Sequence, residues 1–480
     1  MDTGSTAGAA GPGGRQPGFD RDWTQGSITG NLIRLAWPMI VSSVLNMLGP
    51  TIDMVWVGSL GSDAIAGVGV AGIAVGLVMS AIMGLSMGMR AMIARFIGAQ
   101  DRKSANHVAL QAFVLGAVIS LIVAMIGLFC TESIMNLFDL EEGVILEGTS
   151  YLRIVFLGGV VMIVRMMCES AIQSAGDAVT PMWISVVFRF VHIVLCPFLV
   201  LGWWVFPQLG VSGAAYTNII SQTLGLGLSL WVLIAGRSIY FDRTRKRIRL
   251  GWGRMKLITK NFRIDPGIIW RIVRIGVPSG IMSMQQALGA FFLVRIMAPF
   301  GTYAVAAHTI VSRVEMIIFM PIVGLGMAAG ILAGQNLGAE QPGRAEKSGW
   351  QASFMALMFM VVCCLALLLG AEGIIGIFNR EPDLVEMGGT FLRIGAVGYL
   401  LIGFVIVMQF CITGAGDTVP PMILSLVMVW LLQIPLAYIL PDATGLGIYG
   451  VRWAIVISLA VSAITYTIYF KLGRWKRKRV

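Results

Sequence analysis

Long apolar runs, separated by short polar stretches, recur along the whole chain. Each run is long enough to cross a hydrocarbon core about 30 Å thick as a helix. A membrane β-barrel would show shorter segments of alternating polarity instead. The pattern predicts an all-α integral membrane protein with twelve transmembrane helices, near 32–59, 65–96, 107–130, 150–172, 180–203, 212–235, 272–298, 303–334, 350–371, 391–413, 420–440 and 449–470. Residues 1–27 are largely Gly-rich and polar, and are expected to form a disordered tail with no signal-peptide pattern ahead of the first span. Composition agrees: 57% of the residues are hydrophobic and 12% charged, too little polar surface for a soluble chain of 480.

Charge sets the expected orientation. Twelve spans put both termini on one side, and Lys and Arg mark the cytoplasmic face. The stretch after the sixth span reads RTRKRIRLGWGRMKLITKNFR and the C-terminus KLGRWKRKRV. Arg102, Lys103, Arg344 and Lys347 fall on the same side. The opposite loops carry Glu132, Asp139, Glu141, Glu142 and Glu147, then Glu372, Glu381, Asp383 and Glu386. The chain is therefore expected in the plasma (inner) membrane with both termini cytoplasmic. This asymmetry accounts for the net charge of +11, and anionic lipid is a better partner for the basic runs than nucleic acid.

The sequence repeats itself at an offset of 240 residues. SAGDAVTPM (174–182) matches GAGDTVPPM (414–422), Pro38 matches Pro278, Gly84 matches Gly324, and Leu152-Arg153-Ile154 matches Leu392-Arg393-Ile394. The implied architecture is two pseudo-symmetric six-helix lobes, 28–235 and 267–471, joined by a basic cytoplasmic loop at 236–266 and followed by a basic tail at 472–480. Parallel repeats with a site between them are a transporter architecture.

Asp53 is the residue that the apolar pattern leaves unexplained. A carboxylate inside a span is costly and usually functional. Its repeat mate is Leu293, so the fold itself does not require an acid there. Burial favours the uncharged carboxyl, so Asp53 is expected to bind a proton near neutral pH and release it when water enters. Asn46, seven residues earlier on the same helical face, is a candidate partner. Arg313 and Glu315 are expected to form a structural ion pair, with lining of the cavity as the alternative. The six cysteines suggest neither a metal site nor a disulfide framework. GAGD at 414–417 has the form of an intramembrane aspartyl protease motif, but such chemistry needs a second aspartate in an adjacent span, and the candidates Asp139 and Asp242 fall in loops. Asp177 and Asp417 are expected to cap the helices that follow them.

Several stretches resemble the multidrug and toxic compound extrusion (MATE) transporters, within the multidrug/oligosaccharidyl-lipid/polysaccharide exporter superfamily. They are LAWPMIVSSVLNMLGPTIDMVWVGSLGSDAIAGVGV, GAQ and GQNLGAE after spans 2 and 8, the paired AGD loops, and LLQIPLAYIL. The resemblance implies a secondary antiporter, not an enzyme, that exports organic cations or other amphiphiles against inward H⁺ or Na⁺. It implies an N-lobe cation site centred on Asp53. His192 and Cys196 stand where many relatives carry Asn and Asp, and Thr217 and Asn218 fall where relatives place a hydroxyl ligand. Gln286 and Ile402 replace the C-lobe acids of some members. Gln286, Arg295 and Met282 are expected to line the substrate cavity. The coupling ion is expected to be H⁺ rather than Na⁺, with no metal and no cofactor. The expected partners are a small amphiphilic or cationic substrate and the bilayer, with the chain acting as a monomer. A lipid-linked substrate flippase is the alternative, and an electropositive cavity would mark it.

Overall fold

The computed structural model describes residues 22–478 apart from 139, 243–246, 254 and 261, with the backbone alone at 240–242, 247–249 and 252. The spans are α1 (Ile28–Val57), α2 (Ser62–Gly98), α3 (Arg102–Phe129), α4 (the pair Glu142–Leu157 and Gly159–Ser174), α5 (Val179–Leu201), α6 (Gly210–Ala235), α7 (Pro266–Met297), α8 (Thr302–Gly338), α9 (Pro342–Gly376), α10 (Pro382–Gly414), α11 (Val419–Ala443) and α12 (Ile448–Leu472). Eleven are individually long and apolar enough to cross a membrane, and α4 makes the twelfth despite a bend of 49°. The bend falls at Gly158-Gly159, the weakest point for a helix ladder. The repeat mate Gly398-Tyr399 has one glycine fewer, and α10 runs on without a break.

Local sequence sets the helix ends. Ser27, Asp101 and Asp265 each accept a bond from a first-turn backbone N–H of α1, α3 and α7, as N-caps do. Asp177 likewise accepts from the Thr180 N–H at 3.0 Å. The repeat survives in the backbone: α2 and α8, and α4 and α10, have identical bounds once shifted by 240 residues. Gly176 and Gly416, in the paired AGD loops, share a left-handed φ of 96° and 90°, which a side chain would strain.

Three expected boundaries shift. Part of the 236–266 connection is an antiparallel hairpin, β1 (Arg237–Asp242) with β2 (Arg247–Trp252). The N-terminal tail lies outside the described residues up to 21, but Trp23 is buried and its indole N–H donates to the Gly176 carbonyl at 3.1 Å. The basic C-terminal tail is also anchored: Trp475 is buried and stacks on Phe470 at 4.8 Å. In both tails a tryptophan supplies apolar area that their polar composition conceals.

The lobes also exchange helix ends. Leu32, Leu35, Ala36 and Met39 of α1 belong to the core of the second lobe, whereas Ile272 and Ile275 of α7 belong to the core of the first. Glycine permits the crossing. A Cβ on Gly84 would stand 2.3 Å from the Gly280 nitrogen, and one on Gly98 or Gly338 would stand 2.0 Å from the carbonyl of Gln335 or Arg95. Beside them, Arg95 donates to the Ala415 carbonyl at 3.3 Å and Gln335 to the Ser174 carbonyl at 2.8 Å. Arg95 and Gln335 are repeat mates, so the two bonds are related by the pseudo-twofold. All of these contacts lie in the half of the molecule that carries the basic hairpin. Farther along α8, Arg313 shares a helical face with Gly324 and Gly338 but is exposed.

Candidate ion-coupling site

Asp53 lies one turn before the end of α1 and is buried. It faces α5, where Arg189, His192 and Cys196 follow at spacings of three and four and so share one helical face. His192 Nε2 lies 2.9 Å from Asp53 Oδ1, and the Cys196 thiol is 3.9 Å from the same oxygen. The phenol of Tyr151 on α4 lies near the carboxylate without bonding Oδ2. Asp53 Oδ2 has no hydrogen-bond partner among the described residues.

The direction of the bonds follows from Arg189. A guanidinium can only donate. Its Nη1 lies 2.7 Å from His192 Nδ1, so Nδ1 must be the acceptor. The single imidazole proton therefore sits on Nε2 and is donated to Asp53 Oδ1. His192 is a neutral bridge between a cation and a carboxylate. Gly49 makes room for this: a Cβ there would stand 2.2 Å from Arg189 Nη1. The Phe188 ring carries the guanidiniums of both Arg165 and Arg189, at 4.5 and 5.3 Å.

The donor atoms of Asp53, His192 and Cys196 all lie within 4.8 Å of one another, and among the described residues this is the one grouping of three His, Cys, Asp or Glu side chains with metal-ligand proximity. The Nε2 lone pair is taken by its proton, however, which makes the set a poor fit to a metal as it stands.

The other expected site residues lie elsewhere. Thr217 is buried but bonds the Gly213 carbonyl at 2.8 Å within its own helix. Asn218 accepts from Gln222 at 2.9 Å, and Gln222 in turn receives Arg165, which is paired with Glu169. Neither residue reaches Asp53. Asn46 is on the expected face of α1 but is exposed and makes no bond to Asp53. The proposed cavity trio divides as well. Met282 is buried, its sulfur accepting from Gln409 at 3.0 Å, whereas Gln286 and Arg295 are exposed. Nine residues turn a helix by about 180°, so Gln286 and Arg295 point opposite ways and cannot line one pocket.

Glu315 does not pair with Arg313. It binds Arg452 of α12 at 2.6 Å and the Tyr399 hydroxyl, and Arg452 Nη1 lies 3.3 Å from His308 Nδ1. Arg189, Tyr151 and the Arg452 and Tyr399 partners of Glu315 escaped the sequence reading. A scan for every ionisable residue within a span would have flagged Arg189, three residues before His192.

The sequence profile of the MatE family matches residues 38–198 and 278–439, one segment in each lobe. The chain belongs to the MatE family. MatE relatives match it nearly end to end. The probable multidrug resistance protein YoeA of Bacillus subtilis is 27% identical, covering 92% of this chain and 93% of its own. The probable multidrug resistance protein NorM of Thermotoga maritima is 26% identical, covering 94% and 93%. A solved structure of a MOP superfamily transporter from Pyrococcus furiosus, described as having a binding pocket of reverse polarity, superposes with a TM-score of 0.85 at 23% identity, over 95% of this chain and 98% of that one. The all-α fold is thus that of MATE transporters, and this MatE protein is a membrane transporter, not an enzyme.

Proposed function

We propose that the chain is a secondary antiporter that exports small amphiphilic or cationic molecules across the plasma membrane by alternating access, driven by inward H⁺ on Asp53. The relatives named as probable multidrug resistance proteins support the substrate class. The observation that carries the coupling ion is the wiring of Asp53. A proton needs one basic atom, and the buried, unpartnered Oδ2 offers it. Sodium, a hard cation, needs several oxygens. Here the neighbours are an imidazole N–H and a thiol, while Thr217 and Asn218 are engaged elsewhere. Exposed Asn46, about 10 Å along α1, brings a polar, accessible face near the carboxylate.

The basic end is read as cytoplasmic. Because the lobes meet there through Gly98 and Gly338, the conformation is read as outward-facing. Opening those contacts while the opposite ends close would give the inward-facing state. Reconstituted vesicles test the reading. An imposed ΔpH with no sodium present should drive efflux of cationic dyes by the chain acting as a monomer. Transport that needs a sodium gradient at equal pH would overturn it.

One observation favours a second reading. Arg313 is exposed on the interlobe face of α8, and no carboxylate among the described residues pairs with it. A cationic group there suits the phosphate of a lipid-linked substrate. Fluorescent lipid flip in the same vesicles, lost in Arg313→Gln, would select the flippase.

A further inference from the structure

We propose that Arg189 is a positioning residue that fixes the proton on His192 Nε2 and so keeps the Asp53–His192–Cys196 donors closed to transition metals, leaving a latent metal site that is unmasked when Arg189 is removed. This rests on the same site as the proposed coupling but not on which ion it couples.

The three side chains offer one carboxylate oxygen, one imidazole nitrogen and one thiol sulfur, all within 4.8 Å and all buried. Zinc and cobalt(II) accept this mixed set. To bind, the metal must take the Nε2 lone pair. The Nε2 proton must then leave, and a neutral imidazole must carry its proton on Nδ1. The thiol must also lose its proton to solvent. Arg189 blocks the imidazole step, because its Nη1 is 2.7 Å from Nδ1 and two N–H groups cannot face each other there. Metal-binding histidines ordinarily donate their second nitrogen to a carboxylate or carbonyl. Here the partner is reversed, a donor with a full positive charge. Gly49 holds the guanidinium against α1 in that role, since any side chain at 49 would occupy its place.

The test is cobalt binding by the purified full-length chain, read as thiolate-to-cobalt charge-transfer absorbance. Wild type should show none. Arg189→Leu should bind one Co²⁺ per chain, about 100-fold tighter than wild type, the scale on which second-shell partners act. Cys196→Ser in the Arg189→Leu background should abolish the band. Arg189→Lys, which restores a cationic donor, should stay silent. If Arg189→Leu does not fold, Gly49→Ala provides the same displacement. Equal binding by wild type and Arg189→Leu overturns the proposal, as does absence of the band in every folded variant. Sodium-dependent transport by wild type would refute proton coupling yet leave the cobalt result standing, so the two failures are distinct.

Discussion

Each lobe buries or half-buries an acid, an arginine, a histidine and a tyrosine, but connects them differently. In the first lobe His192 stands between Asp53 and Arg189. The carboxylate sees a neutral donor and keeps one oxygen free. In the second lobe Arg452 binds Glu315 directly and His308 hangs on the far side of the guanidinium. There the acid is held by a full charge and the Tyr399 hydroxyl together. The same four residue types give a carboxylate bonded through a neutral imidazole in one lobe and a direct ion pair in the other. Position in the repeat did not decide this: Asp53 maps to Leu293, and Arg452 maps to Ser212.

The sharpest way to break the comparison is to neutralise each acid. Asp53→Asn should reduce ΔpH-driven efflux to the leak rate of empty vesicles. Its amide oxygen still accepts from His192, so thermal stability should change by less than about 1 kcal/mol. Glu315→Gln should do the reverse. Arg452 would be left buried without its counter-charge, at a cost of about 3 kcal/mol in denaturation, while surviving protein should retain ΔpH-driven efflux. If Glu315→Gln instead abolishes coupling in protein of normal stability, the two carboxylates are functionally alike.

The histidines give a smaller contrast. His308→Leu removes one long bond to Arg452 and should cost about 1 kcal/mol with transport retained, whereas His192→Leu should impair efflux by removing the donor to Asp53. The smallest effect belongs outside both clusters. Ser104 holds the Asp101 carboxylate below its usual range through hydrogen bonds at the start of α3. Asp101→Ala should cost about 0.5–1 kcal/mol at neutral pH. A depressed carboxylate stabilises above its unfolded value and loses that contribution as pH falls through the folded one. The gap between parent and variant in melting curves should therefore close below about pH 4.

The fold was largely legible because a span must be apolar for some 20 residues, and because duplication wrote the same marks twice. Asp53 was legible for the same reason: one charge against an apolar background. What pairs with it was less so. His192 and Cys196 were found through family position, but Arg189 sits in FRFVHIVLC among bulky apolar residues and reveals its role only once Gly49 is packed against it. Asn46 shows the limit of helical phase, which gives the face of a residue but not whether that face is covered. The Arg313–Glu315 expectation failed because residues two apart on a helix point away from each other, and Arg452 lies 137 residues beyond Glu315 in sequence.

The exchange of α1 and α7 also constrains how the protein is made. Ile272 and Ile275 complete the core of the first lobe, so that lobe is unfinished when α6 leaves the ribosome. Leu32, Leu35 and Met39 wait longer, for helices of the second lobe. The early product holds an N-terminal helix whose packing surface has no partner yet. Synthesis of the first half alone should yield a species that membrane quality control degrades, and two co-expressed halves divided between Asp242 and Arg247 should rescue each other.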